Sequence, residues 1–452
     1  MTQTLIERLT AVVGAGYLST DPDVLAGRTV DHTGRYRGRA GALVRPGTSD
    51  EVAAVLRVCR DSGAYVTVQG GRTSLVAGTV PEHDDVLLST ERLTRIGDVD
   101  TIERRIQVGA GITCAAVQQA AAAAGLVFGV DLAARDSATV GGMASTNAGG
   151  LRTVRYGNMG EQILGLDIAL PDGTVLRRHS QVRSDNTGYD LTALFVGAEG
   201  TLGVITGLDL RLHPTPPHRV TAVAGFDNLD ALIATGRRFR DADGIAALEL
   251  IDSRASALTA EHLGVVAPVP GSWQLLIEMA GETDQTELLA AALEDAELAG
   301  EPAVGMDITA SARLWQVRES IAEILGWYGP PLKFDVSLPL SKIHEFSDRA
   351  AAVVAAHAPD AIPVLFGHIG EGNLHLNLLR CNVSDATEHA LYAAMMALIA
   401  DCDGNVSSEH GVGTRKRDYL TMSRTDADIA AMRAVKAAFD PTGYLNPAVL
   451  LH

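Results

Sequence analysis

Apolar and polar positions run along this chain in short blocks whose period switches between that of strands and that of helices. Leu5 to Val13 reads as a short helix, followed by a loop rich in Asp, Thr, Gly and Arg. Ala42 to Pro46 is a strand closed by its proline, and Ser49-Asp50-Glu51 opens a helix through Cys59 with Ser49 as N-cap. Tyr65 to Val68 is a strand running straight into a glycine pair. Strands over 85–89, 104–111, 164–170 and 202–212, with a helix over 115–124 between them, complete a first α+β domain ending near Leu212. His213 to His218 places three prolines in six residues, which neither a central strand nor a helix tolerates, so it marks a linker. Beyond it, strands over 220–226 and 272–281 alternate with helices around 228–240, 284–298 and 342–357. The last stretch holds a helix near 426–438. The expected division is 1–214, 215–403 and 404–452.

A length of 452 residues exceeds one ordinary core and agrees with two or three domains. With 46% apolar and 20% charged residues the composition is globular. A formal charge of −18 repels phosphate backbones and anionic lipid, which excludes nucleic acid as a partner and leaves an anionic substrate dependent on local Arg or Lys. The start has no basic segment leading into a long apolar run, and nothing approaches the ~20 apolar residues of a membrane span. Cys59, Cys114, Cys381 and Cys402 lie far apart, against an iron–sulfur cluster, a cysteine zinc site or a disulfide framework. A reducing, cytoplasmic setting is expected.

The glycines cluster. Gln69-Gly70-Gly71-Arg72-Thr73-Ser74-Leu75 follows a strand, and consecutive glycines let backbone N–H groups turn inward as an anion nest beside two hydroxyls. It is neither a dinucleotide fingerprint nor a P-loop. Ala138 to Gly150 carries four glycines and four small polar residues, a poor core and a poor helix but a surface that a large planar ligand can approach at backbone distance. Gly197 to Thr206 joins a tight turn to a strand.

In this order the three segments resemble the FAD-binding half of the vanillyl-alcohol-oxidase-type flavoproteins. In particular they resemble the D-2-hydroxy-acid dehydrogenase branch, with D-lactate, D-2-hydroxyglutarate and glycolate-oxidase-subunit members. The resemblance runs from about Ala42 to Pro447. It implies an α+β fold: a two-part PCMH-type FAD-binding domain, a ferredoxin-like α+β substrate (cap) domain, and a C-terminal segment returning to the FAD domain. It assigns FAD contacts to Gln69, Gly70, Gly71, Arg72, Thr73, Ser74, Gly78, Asp136, Ser137, Gly141, Gly142, Ser145, Asn147, Gly149, Glu199, Gly203, Ile205 and Asn446. No histidine stands in the first glycine segment, where relatives with covalent flavin carry one, so non-covalent FAD is implied.

In Phe366 to Asn377, apolar strands flank Gly370-Glu371-Gly372-Asn373, which reads as a four-residue hairpin loop. That loop sets His368 directly opposite His375, with Cβ atoms ~5 Å apart, near enough for two imidazoles to share an ion. Glu409-His410-Gly411 follows, and two His with one carboxylate form a catalytic ligand set that leaves coordination positions open. The resemblance gives the same roles: His368, His375 and Glu409 as ligands of a divalent metal, and His410 as base. Zn2+ leads, with Mn2+, Co2+ or Fe2+ as alternatives. It also assigns Arg318 and Lys333 to the substrate carboxylate and Asn373 to the substrate's vicinity. One helical turn after Arg318 stands Ala322, where the D-2-hydroxyglutarate branch has Thr, a departure that bears on a second, distal carboxylate contact.

The expected activity is oxidation of a small D-2-hydroxy acid to the 2-oxo acid, with hydride passing to flavin N5. Electrons then go to a quinone, an electron-transfer flavoprotein or a cytochrome, and a homodimer is the assembly to test. Two other readings stay open. A flavin-dependent alkyl transferase on the same fold uses a run of consecutive histidines that this chain lacks. An FAD subunit of a multi-subunit glycolate oxidase would need partner proteins.

Overall fold

The computed structural model describes residues 1–179, 182 and 185–451. Its contacts divide the chain into two units. The first comprises Met1–Gly149, Gly157–Pro214 and Glu409–His452, and the second Gly150–Tyr156 and Thr215–Ser408. Among the described residues no helix is long and apolar enough to cross a membrane. All four cysteines are buried and free.

The first unit holds two four-stranded sheets. In one, Ala40–Val44, Asp85–Ser89 and Val66–Gln69 run parallel, with Leu18–Ser19 added antiparallel at the edge. The other is antiparallel, in the order Arg105–Gly109, Val204–Arg211, Ile163–Ala169, Val175–His179. Helix Ser49–Asp61 buries Val52, Val55, Leu56 and Cys59 on one face. Its N-cap is Thr48 rather than Ser49: Thr48 is extended and its hydroxyl accepts the Glu51 N–H, while the Ser49 hydroxyl bonds Thr206 at 2.8 Å. The helix therefore begins one residue earlier than the Ser-Asp-Glu pattern implied.

The expectation that Ala138 to Gly150 avoids helix and core is corrected. Val140–Thr146 is helical, with Val140, Gly141, Met143 and Ala144 buried. The small residues that lower helix propensity let this helix close on the neighbouring turn, since a Cβ on Gly141 would lie 2.5 Å from the Ala110 methyl.

The C-terminal segment completes this unit. Val66 N–H donates to the Tyr444 carbonyl at 2.9 Å and Asn446 N–H to the Val66 carbonyl at 2.8 Å, extending the parallel sheet by one bridge. The buried Tyr444 hydroxyl shares its donor between the carbonyls of Leu56 and Pro171, at 3.2 and 2.7 Å.

The second unit is built on one antiparallel sheet of seven strands. In spatial order these are Ala303–Gly305, His218–Phe226, Trp273–Gly281, Ile245–Asp252, Ile362–His368, Asn373–Leu379 and Leu332–Ser337. Helices Ser253–Leu263 and Ile308–Ile324 cover one face, where Ile251, Val364 and Phe366 pack with Ala255, Leu258, Val317 and Ile321. Helix Leu229–Arg240 covers the opposite face, with Gly236 against Leu248. The helix expected over 284–298 is confined to Thr286–Leu293.

Replacing Tyr444 by Phe leaves two buried carbonyls short of a donor. The substitution is expected to cost about 1–3 kcal/mol, read as an earlier urea midpoint of the first unit with an unchanged secondary-structure spectrum.

Candidate active site

In the first unit the glycine segments line one cleft. Gly70, Gly71, Arg72, Thr73, Ser74, Gly78, Gly141, Gly142, Ser145, Gly149, Glu199, Gly203, Ile205 and Asn446 all face it, and so do Glu409 and His410. The two loops meet at backbone distance because Gly71 has no side chain, and a Cβ there would collide with the Ser137 carbonyl. Four expected contacts do not line the cleft. Gln69 is wholly buried and braces it, donating to the carbonyls of Arg28 and Thr79. Asp136 and Ser137 are exposed. Asn147 caps the helix from the left-handed region, its side chain accepting the Gly160 N–H at 2.8 Å.

Thr139 is a lining residue that sequence reasoning passed over. Its hydroxyl is buried without a hydrogen-bond partner among the described residues. A nest of glycine amides, an unspent hydroxyl and the Arg72 guanidinium are the donors that a pyrophosphate requires, so these residues fit FAD.

Glu199 does more than line the cleft. Its two carboxylate oxygens accept the N–H groups of Val412 and Gly413, at 2.7 and 2.8 Å, fixing the loop that carries Glu409 and His410. Burial pushes its pKa above the usual carboxylate range. Asn446 ties the same corner together: Oδ1 accepts the Val68 N–H and Nδ2 donates to the Glu199 carbonyl, both at 2.8 Å. His410 and Glu409 are half-buried, with Nε2 and Oε1 3.6 Å apart.

The second unit carries the histidine pair, and here the expected register is corrected. His368 lies opposite Asn373, and His375 opposite Phe366. The turn falls at 369–372, where a short 3-10 stretch over Ile369–Glu371 ends on Gly372 at φ +72, a conformation that favours glycine. A register shift of two residues preserves the face, so the two imidazoles still meet diagonally with ring centroids 5.2 Å apart.

The same face brings further groups together. Asp335 lies opposite His375, its Oδ1 3.7 Å from Nδ1, and its Oδ2 accepts the Ser408 N–H at 3.0 Å. Glu249 lies opposite His368, with Oε1 2.5 Å from Nδ1. Neither acid was foreseen. Asn373 is buried, and its Oδ1 has no partner among the described residues. Lys333 is opposite Asn377, makes no ion pair or hydrogen bond among the described residues, and is held below the usual lysine pKa by burial. Arg318 reaches this face from helix Ile308–Ile324, its Nε donating to Glu249 Oε2 at 2.6 Å. Two imidazoles beside a buried carboxylate are a donor set that fits a divalent cation of the first transition row.

Residues 40–178 match the family described as FAD binding domain, and residues 215–450 the FAD linked oxidases, C-terminal domain. The chain is 36% identical over 444 residues to the mitochondrial D-2-hydroxyglutarate dehydrogenase of Bos taurus, covering 96% of this chain and 81% of that one. It is 35% identical over 464 residues to D-2-hydroxyglutarate dehydrogenase of Xanthomonas citri pv. viticola, covering 100% and 97%. Among solved structures, p-cresol methylhydroxylase with substrate bound has a TM-score of 0.81 at 16% identity, over 99% of this chain and 97% of that one, a likeness of fold alone. Both halves are matched in order and the relatives align over nearly the whole length: the chain belongs to the FAD-linked oxidases and is an FAD-dependent D-2-hydroxy-acid dehydrogenase.

Proposed function

We propose that the chain oxidises D-2-hydroxyglutarate to 2-oxoglutarate, using non-covalent FAD and a divalent cation. The observation that carries this reading is the single sheet face on which His368, His375, Asn373 and Lys333 stand together in the second unit. The names of the relatives support the choice of acid.

FAD bound in the cleft of the first unit supplies the acceptor for the hydride that leaves C2. A divalent cation, Zn2+ first among the alternatives, held by His368, His375 and Glu409, supplies a Lewis acid for the C2 oxygen. His410 takes the hydroxyl proton on a ring nitrogen while its imidazole is neutral. Arg318 spends Nε on Glu249 and offers its Nη groups to the C1 carboxylate, and Lys333 adds an ammonium. Asn373 orients the acid through its side-chain amide. A quinone, an electron-transfer flavoprotein or a cytochrome would be the electron acceptor.

A shorter D-2-hydroxy acid such as D-lactate is the second reading. It is favoured by Ala322, which stands exposed on helix Ile308–Ile324 and offers no hydroxyl to a distal carboxylate.

Anaerobic addition of D-2-hydroxyglutarate to the purified chain is expected to bleach the flavin band near ~450 nm, with the L-enantiomer inert. A higher kcat/KM for D-lactate would select the second reading, and a flavin left oxidised by every D-acid would overturn both. Chelation is expected to abolish bleaching while FAD stays bound, and added Zn2+ to restore it. His410→Ala is expected to lower kcat by about 10²–10⁴ with little change in bound FAD. Lys333 binds an anion only when protonated. The alkaline fall of kcat/KM should therefore set in below the usual lysine range, and Lys333→Arg should move it upward.

A further inference from the structure

Helix Ile308–Ile324 sets two side chains, one turn apart, onto two buried carboxylates of the sheet. Trp315 Nε1 donates to Glu278 Oε2 at 2.9 Å, and Arg318 Nε to Glu249 Oε2 at 2.6 Å. The two acids differ in their remaining partners. Glu278 is completed by Arg152 and by Arg219 at 3.2 Å, none of which belongs to the donor set described above. Glu249 is completed by Nδ1 of His368.

Both oxygens of Glu249 are therefore committed, one to the side chain assigned to the substrate carboxylate and one to a side chain assigned to the metal. A carboxylate with 1% side-chain exposure pays a large desolvation penalty unless donors meet it. Arg318 is always a donor, and Nδ1 of a neutral imidazole meets the second oxygen only as N–H. That fixes the tautomer of His368: Nδ1 carries the hydrogen and Nε2 the lone pair, as a metal ligand requires. The other carboxylate contact orients the Arg318 fork.

We propose that Glu249 is a positioning residue of this enzyme, aligning a metal ligand and the substrate's cationic clamp through one carboxylate. The inference rests on the roles given to His368 and Arg318 under the proposed function. It predicts that one substitution weakens metal binding and substrate binding together, although Glu249 touches neither ligand.

The test compares FAD-loaded wild type, Glu249→Gln, Glu249→Asp and Glu278→Gln. Zn2+ affinity is measured by competition with a chromophoric chelator, KM and kcat at saturating Zn2+, and the melting temperature alongside. Glu249→Gln is expected to weaken Zn2+ binding 10–100-fold and to raise KM for the D-2-hydroxy acid at least tenfold, with FAD content unchanged. Glu249→Asp keeps the charge on a shorter arm and should fall between Gln and wild type. Glu278→Gln should lower the melting temperature while leaving Zn2+ affinity in place. Wild-type Zn2+ affinity and KM in Glu249→Gln overturn the proposal. If that variant does not fold, the same result in Glu249→Asp overturns it. Equal loss of Zn2+ in Glu278→Gln would show a structural role for both acids and overturn it too. A wild-type chain that binds no Zn2+ overturns the metal reading itself, and this inference with it.

Discussion

Glu249, Glu278 and Asp335 stand on one face of the seven-stranded sheet with no more than 1% exposure, and a carboxylate so placed survives as an anion only where donors surround it. Much of the second unit answers that requirement. Helix Ile308–Ile324 brings Arg318 and Trp315, the segment Gly150–Tyr156 brings Arg152, and Ser408 offers a backbone N–H. Burial works against the Glu249 carboxylate, but the His368 ring and the Arg318 guanidinium donating to its oxygens hold its pKa below the ordinary value. A sheet face that would otherwise be apolar becomes a place where charge is fixed in direction, which binding of a small anion and a cation demands.

The first unit works under a different constraint, closeness of backbones. Its cleft is lined by segments with little side chain to interpose, so amide groups are the donors and a large planar ligand meets the chain at contact distance. The rigidity comes from outside those segments. Glu199 clamps the 412–413 amides, Asn446 ties two stretches together, and the Tyr444 hydroxyl pins the C-terminal segment to helix Ser49–Asp61 and to the turn after Ile163–Ala169.

What could be read beforehand was local. The glycine clusters, the linker prolines and the two histidines around a turn each occupy a few consecutive residues, and the chemistry of those residues restricts what they form. The register of the hairpin was misread because sequence alone does not say which of two glycines takes the left-handed position; Gly372 does, and the pairing moves by two. Glu249 and Asp335 were invisible for another reason. Glu249 meets His368 across 119 positions and Arg318 across 69, and an acid within an apolar strand reads as any solvated charge until its partners are known. Thr139 escaped notice in a run of small residues that all look alike.

The four cysteines take no part in this chemistry, and their placement gives the protein a practical character. All are buried, and desolvation pushes the Cys59 and Cys114 thiols up to about 12, far from the thiolate that alkylating and oxidising reagents attack. A purified sample should therefore keep through storage in air without added reductant. A cysteine introduced on the surface would offer a maleimide probe a reactive handle with little background from these four. Distances between labelled positions in either unit could then be followed by fluorescence or spin label in the native chain, with no cysteine-free variant to engineer first.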